Sequence, residues 1–173
     1  MLIGNLIKKS SGTAICASVE GTRPFLIEVQ ALVSTAVYGT PQRSTTGINS
    51  KRLNMLLAVL EKRAGFNLVS KDVFINITGG ISGIDPALDL AVIAAILSSC
   101  HDIPISQKLC FASEIGLSGE LRPISKTNQR IQEAEKLGFE GIFISSYTKF
   151  SSQQNKIKLH QLSKVESLVN FLF

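Results

Sequence analysis

Residues Gly80–Ala94, GISGIDPALDLAVIA, contain a glycine-rich turn that leads into an apolar segment. Asp85 is a good N-cap, and Pro86 suits the first helical position, where its missing N–H is not needed. The apolar residues that follow predict a helix that is hydrophobic nearly all round and therefore lies in the core. Unpaired N–H groups at such a helix start favour a nucleophile or an anion, but the residue there is Ala87, which has no reactive group.

Predicted strands and helices flank this turn on both sides, without a strict βαβ rhythm. This mixture predicts one α/β (α+β) domain over residues 1–173, a two-layer mixed sheet backed by helices. The predicted helices are 50–63, 86–99, 127–137 and 164–171. The predicted strands are 13–19, 24–34, 72–78, 109–114, 141–145 and 156–160, and a short strand near 43–47 is one interpretation of a polar loop.

Length and composition fit a single globular domain, because the chain has 173 residues, of which 45% are hydrophobic and 18% charged. The longest uncharged apolar stretch, Leu90–Cys100, is too short to cross a bilayer. The N-terminus has no basic segment ahead of its apolar residues and no clear cleavage site, so we expect a cytoplasmic protein without a membrane partner.

Neither metal nor histidine chemistry is indicated. The three cysteines are far apart and no C-x-x-C occurs, which predicts free buried thiols and no metal site. The two histidines stand outside any ligand pattern. The cysteines are Cys16, Cys100 and Cys110, and the histidines are His101 and His160.

Positive charge is concentrated in one region of this chain, whose net charge is +5. Between Tyr38 and Lys71, Glu61 is the one acid among several basic residues. Such a bias favours a polyanion-binding face, although a solvated helix face has the same composition. The candidates for nucleic-acid contact are Arg43, Lys51, Arg52, Lys62 and Arg63, and Arg52 could instead anchor an interface.

Six segments, in order along the chain, resemble the C-terminal domain of bacterial DNA repair ATPases of the RadA (Sms) family. They are EGTRPFLIEVQALVS (Glu20–Ser34), RLNMLLAVL (Arg52–Leu60), DVFINITGG (Asp72–Gly80), DLAVIAAILSS (Asp89–Ser99), EIGLSGELRPI (Glu114–Ile124) and EAEKLGF (Glu133–Phe139). That domain is similar to the proteolytic domain of Lon protease, with the fold of a small-subunit ribosomal protein's second domain.

The Lon resemblance implies a serine nucleophile and a lysine general base, which activate each other as a dyad. The serine position corresponds to Ala87 and the lysine position to Asn128, and neither side chain can do this chemistry. We therefore expect no catalytic residue and no enzyme activity in this chain. A displaced dyad of Ser82 and Lys126 is the alternative, but its spacing does not bring the two side chains together.

Other polar features of the turn have structural interpretations that we favour over functional ones. Gly79 and Gly80 fit a tight strand-to-helix turn better than a phosphate cradle. Asp89 fits a carboxylate in the first helical turn that accepts nearby N–H groups. Glu114 and Glu120 flank a Gly-rich turn, where we expect hydrogen bonds rather than a metal.

The resemblance also implies the protein's context. No phosphate-binding loop and no cysteine cluster occur here, so the chain is expected to be a C-terminal fragment with no cofactor of its own. ATP, magnesium and zinc would belong to upstream ATPase and zinc-finger domains. The expected partners are single-stranded or branched DNA, further copies in a hexameric ring, and RecA through the parent protein, a DNA-dependent ATPase that promotes branch migration. A purely structural oligomerisation domain remains an alternative.

Overall fold

A seven-stranded mixed sheet organises the chain in the computed structural model, which describes residues 10–78, 85–149 and 156–173. The first elements are β1 (Thr13–Glu20), β2 (Arg23–Thr35), β3 (Arg43–Thr46), α1 (Ser50–Ala64), β4 (Lys71–Ile77) and α2 (Leu88–His101). Then follow β5 (Leu109–Phe111), β6 (Glu114–Ile115), β7 (Leu121–Arg122), α3 (Thr127–Lys136), β8 (Gly141–Ser145), β9 (Lys158–Leu162) and α4 (Val165–Leu172).

The strand order in the main sheet is β3-β4-β2-β1-β5-β8-β9. The β1–β2 and β2–β4 pairs are antiparallel, whereas β3–β4, β1–β5, β5–β8 and β8–β9 are parallel. The prediction of an α/β fold with a mixed sheet backed by helices is confirmed. Successive residues 14–18 of β1 are all buried, so both faces of the central strands are covered.

The central helix α2 is buried along nearly its whole length, from Leu88 to Ser98, as its all-round apolar sequence predicts. It packs against β1 and β2, and α3 contacts the same two strands. The N-terminus of α2 is therefore held at a fixed position relative to the sheet.

The α1 helix begins and ends with the residues that the sequence indicates. Asn49 Oδ1 accepts the N–H of Lys51, which caps the N-terminus. Gly65 ends the helix in the left-handed conformation, with φ of 75°, where a side chain would be strained. Leu53, Leu56 and Leu60 are buried, so the opposite side of the helix faces solvent.

One predicted strand, 109–114, is wrong as a single element. The chain leaves the main sheet after Phe111, and the Ser113 N–H donates to the Ala87 carbonyl while the Ser113 carbonyl accepts the Leu90 N–H. These bonds to the start of α2 divert the chain, and Glu114–Ile115 then pairs with β7 in a separate two-stranded sheet. The apolar run Leu109–Ala112 continues past the end of β5, so the pattern of hydrophobic residues could not reveal the break.

Within the three described ranges, no helix is both long and apolar enough to cross a membrane.

A buried ion pair at the α2 turn and a candidate nucleic-acid interface

The start of α2 differs from the predicted cap. The helix begins at Leu88, its N-cap is Ala87, and Ala87 has a helical conformation without a side-chain cap. Asp85 still accepts the Ala87 N–H at 3.1 Å through Oδ1, and its carbonyl accepts the Leu88 N–H. Asp85 therefore caps a tight turn that precedes the helix instead of the helix itself, because Pro86 and Ala87 continue that turn.

A buried ion pair holds this turn against α3. Arg130 Nη1 lies 2.6 Å from Asp85 Oδ2, and the two side chains are 3% and 9% exposed. The same carboxylate accepts the Ser18 hydroxyl and the Val19 N–H at the end of β1. Burial alone would raise the pKa of Asp85, but Arg130 and these donors hold its pKa below the usual value.

The Arg130 guanidinium also donates hydrogen bonds to two backbone carbonyls. Its Nε donates to the Ser125 carbonyl at 2.9 Å and its Nη1 to the Ala17 carbonyl at 2.8 Å. The guanidinium thus joins β1, the α2 turn and α3, and only 3% of Arg130 is exposed. The sequence analysis missed this pair, since an arginine in an amphipathic helix carries no signal that it is buried.

The two positions that correspond to the expected dyad, Ala87 and Asn128, differ in their exposure to solvent. Ala87 is completely buried, so a side chain there has no access to a substrate. Asn128 lies in the first turn of α3 and is exposed. In the displaced alternative, the Lys126 ammonium donates to the Gly21 carbonyl in the β1–β2 turn. Ser82, Gly79 and Gly80 lie outside the described residues.

Asp89 forms the second buried charge at this end of α2. Its side chain is 3% exposed and accepts the Arg52 Nε at 2.9 Å and the Ile115 N–H at 3.0 Å. Arg52 Nη2 bonds to the same carboxylate and lies 3.6 Å from Glu114. The hydrogen bonds to Asp89 raise the pKa of Arg52. Asp89 thus ties α1 and β6 to α2, which agrees with its structural interpretation.

Arg52, one of the predicted contacts, has its Nε and Nη2 donors bound to Asp89, which leaves only Nη1 for a contact with phosphate. Arg43 also differs from the other candidates. Its Nη2 donates to the Leu68 carbonyl at 3.0 Å, and the residue is partly buried beside β4. Neither guanidinium is presented to solvent as a freely moving charge.

Lys51 and Lys62, in contrast, are exposed to solvent. They lie on one exposed side of α1 with Asn54 and Ala58, at spacings of three, four and four residues. We call Lys51, Asn54, Ala58 and Lys62 the α1 stripe; its length is roughly 16 Å at the helical rise per residue. Among the ion pairs of the described residues, none involves either lysine.

The single acid of α1 does not neutralise this stripe. Glu61 is partly buried, and its Oε1 accepts the Leu68 N–H at 3.1 Å. The carboxylate therefore belongs to the α1–β4 connection, and the exposed side of α1 presents basic and neutral groups only.

A further basic surface adjoins the end of α1. Arg63 is exposed, and its Cβ and Cγ lie beside Gly119, where an added Cβ would come within 3.2 Å of them. The Gly119 carbonyl accepts the Val165 N–H, and Glu120 pairs with Lys164 in an isolated bridge. Arg63 and the exposed Lys164, which are far apart in sequence, therefore both adjoin the turn at Gly119 and Glu120. The sequence analysis missed Lys164 because only the fold brings both residues to this turn.

The acidic residues of the β6–β7 hairpin do not form a metal site. Glu120 accepts the Arg122 Nε and the Ser118 N–H, each at 3.0 Å, and hydrogen bonds from backbone N–H groups lower its pKa. In the part of the chain that the structure describes, no cluster of three or more potential metal ligands occurs. The hydrogen bonds expected for Glu120 are confirmed.

Comparison with known proteins identifies the family. A family model described as subunit ChlI of Mg-chelatase matches residues 27–147. Proteins named DNA repair protein RadA are similar: that of Bacillus subtilis is 47% identical over 135 residues, that of Streptococcus pneumoniae 46% over 135, and that of Listeria monocytogenes 45% over 138.

These alignments cover 78% of this chain for the first two relatives and 80% for the third. They span 30%, 32% and 30% of the relatives' own lengths, in the same order, so the chain represents about a third of such a protein. The resemblance that the six sequence segments indicate is confirmed. The chain belongs to the family described as subunit ChlI of Mg-chelatase, and it is similar to proteins named DNA repair protein RadA.

Proposed function

We propose that this chain is a non-proteolytic scaffold and DNA-contacting domain of a RadA-type DNA-dependent ATPase. Such a protein would process recombination intermediates and promote branch migration in the cytoplasm. The nucleotide, magnesium and zinc of this ATPase would bind outside the chain. The observation that carries the proposal is the exposure of Lys51 and Lys62 on one side of α1, where neither forms an ion pair with another described residue, in a relative of proteins named for DNA repair.

Electrostatics favour a sequence-independent contact with the phosphate backbone. Lys51 and Lys62 project from one helix side over about 16 Å, a length that spans several phosphate charges. Arg63 and Lys164 extend the basic surface past the end of the helix. Flexible exposed ammonium groups suit such contacts, because they need no fixed partner geometry.

The absence of catalytic groups at both dyad positions supports a non-proteolytic role. Ala87 has no nucleophilic atom and no exposure, and Asn128 has no basic nitrogen. The Asp85–Arg130 pair instead connects the turn before α2 with α3, and Arg130 also bonds to β1. These contacts support a structural role for the described part of the turn.

A ring of several copies, as in the hexamer that the resemblance implies, needs contact surfaces between subunits. Large apolar side chains are exposed near the facing ends of β2 and β4, including Leu32 at 59% and Val69 at 65%. Leu32 pairs in register with Phe74, and the Ala36 N–H donates to the Ser70 carbonyl, so these ends are adjacent. Apolar surface of this kind supports a scaffold role. RecA would be a partner of the whole protein.

Fluorescence anisotropy with labelled DNA at low salt tests the DNA contact. We expect the chain to bind single strands and duplexes, and we expect the double reversal Lys62→Glu with Arg63→Glu to weaken both at least tenfold. Lys136→Glu is the matched control, because Lys136 is also exposed at the end of a helix, on α3. Equal affinity of the double variant and the control would refute this surface.

Light scattering distinguishes the remaining alternative. Multimers of the chain that bind no DNA at any salt concentration would favour a purely structural oligomerisation domain. Cleavage of casein by the chain, lost in Ser82→Ala or Lys126→Ala, would contradict the non-proteolytic role.

A further inference from the structure

A groove of about 500 Å³ separates the first turns of α1 from the α2 turn. Its walls are mostly apolar and come from Ile48, Met55, Pro86 and Leu88. The volume is in the range of sites that enclose small organic groups. These four residues lie outside the α1 stripe. The groove nevertheless adjoins the stripe, because Lys51 lines the groove and also belongs to the stripe.

The charged groups of the groove are unequally satisfied. Three carboxylates line the groove, and each has a counter-charge: Asp85 is paired with Arg130, and both Asp89 and Glu114 lie beside Arg52. Arg52 Nη1, in contrast, donates at 3.5 Å to the Met55 sulfur, which is a weak acceptor. Lys51 has no ion-pair partner among the described residues. The groove therefore offers the Lys51 ammonium and one weakly bound Arg52 donor above a largely apolar floor.

We propose that this groove takes one unstacked nucleobase of single-stranded DNA whose backbone follows the α1 stripe. The inference rests on the proposed DNA contact and adds to it a reason for preferring single strands. Lys51 would hold the phosphate next to the inserted base. Met55 and Pro86 would contact the base faces, and Arg52 Nη1 would donate to a ring nitrogen or carbonyl oxygen.

Charge and shape together favour this occupant. A nucleotide combines a flat apolar ring, peripheral acceptors and a phosphate, which match the walls, Arg52 Nη1 and Lys51 in turn. A duplex keeps its bases stacked and paired, so it could contact the stripe but would enter the groove only by base extrusion. The groove thus discriminates between two DNA forms that the lysines alone bind similarly.

A fluorescent base tests insertion directly. The probe is a single-stranded oligonucleotide with 2-aminopurine at one position, whose emission rises when the base leaves its stacked neighbours. We expect the chain to increase this emission at some positions of the label and to bind single strands more tightly than a duplex of equal length.

A pair of adjacent variants separates the groove from the stripe. Met55→Glu puts a carboxylate inside the groove, whereas Asn54→Glu puts the same charge on the stripe one residue away. We expect Asn54→Glu to weaken single strands and duplexes by the same factor and to retain the emission change. We expect Met55→Glu to abolish that change and to reduce the single-strand preference at least about fivefold.

The outcomes distinguish this inference from the proposed function. Retained emission change and an unaltered strand preference in Met55→Glu would refute base insertion while the DNA contact stands. Failure of the unmodified chain to bind either DNA form would refute the DNA contact itself. Duplex binding by Met55→Glu equal to that by Asn54→Glu shows that the groove variant is folded.

Discussion

Arg130 Nη1 lies 2.6 Å from Asp85 Oδ2 in a region where both side chains are almost fully buried. The pair occupies the contact between α3 and the turn before α2, where the family resemblance places a catalytic dyad. Three further donors, from Ser18, Val19 and Ala87, bind the same carboxylate. A turn that could have presented a nucleophile is thus fixed by charge and hydrogen bonds.

Removing one partner of this pair should destabilise the fold strongly. We expect Arg130→Met to lower the free energy of unfolding by about 3–5 kcal/mol, because Asp85 would stay buried without its counter-charge. Urea denaturation measures the change. Lys108→Met is the matched control: its ion pair with Glu140 is 65% and 66% exposed, so we expect a loss below about 1 kcal/mol. Equal effects would show that burial of the pair is unimportant.

The stability of the chain should also depend on pH through Asp85. Its native pKa is below the usual value, so ionised Asp85 stabilises the fold above about pH 4. That contribution disappears as the pH falls through the lower native pKa, because protonation breaks the bond to Arg130.

Urea denaturation between pH 2 and 6 tests this dependence. We expect the free energy of unfolding to fall less steeply below pH 4 in Asp85→Asn than in the unchanged chain. The control Glu120→Gln removes a carboxylate whose pKa is also lowered but whose partner Arg122 is 57% exposed. An unchanged slope in Asp85→Asn would contradict the assignment.

The three cysteines should differ in reactivity towards a thiol reagent at pH 8. Cys16 and Cys110 are buried, and burial raises the pKa of both thiols, so few thiolates form and none is accessible. Cys100 is exposed at the end of α2, so the prediction of a buried thiol is wrong there, although partial burial also raises the pKa of this thiol. We expect one fast thiol in the folded chain and three in urea, as measured by absorbance. A fast reaction of Cys16 in the native state would contradict the position of β1 in the core.

Local signals predicted much of the fold. Neighbouring residues determine the caps of α1 at Asn49 and Gly65 and the apolar length of α2. Each could therefore be identified without tertiary information. The break after Phe111 could not, because its cause is a pair of hydrogen bonds between Ser113 and the start of α2.

The candidate site shows the same division. Lys51 and Lys62 are identifiable from helical spacing, since exposure follows from the buried leucines on the opposite side. Arg52 lies beside them in sequence but turns towards Asp89, and that contact depends on how α1 meets α2. Charge density along a sequence therefore predicts a basic helix but not which of its charges remain unpaired.

Salt dependence should identify which of these charges contact DNA. If Lys51 and Lys62 bind phosphates, each change to alanine should reduce the slope of log affinity against log salt concentration by about 1. Anisotropy titrations at several salt concentrations measure this slope. Lys108→Ala serves as the control, because Lys108 is paired with Glu140 on another part of the surface. A loss of affinity without a change of slope would show that the lysines act on the fold instead.

Restoring both dyad positions should not restore a peptidase. In the double variant Ala87→Ser with Asn128→Lys, the serine hydroxyl would lie at a completely buried position. We expect the variant to be less stable by about 1–3 kcal/mol, because the hydroxyl is transferred from water to the core. We also expect this variant not to cleave casein, because Asp85 stays bound to Arg130 and to Ser18 of β1 and so keeps the turn in contact with the sheet. Casein cleavage by the double variant, absent from each single variant, would show instead that the turn opens and that substitution alone removed the chemistry.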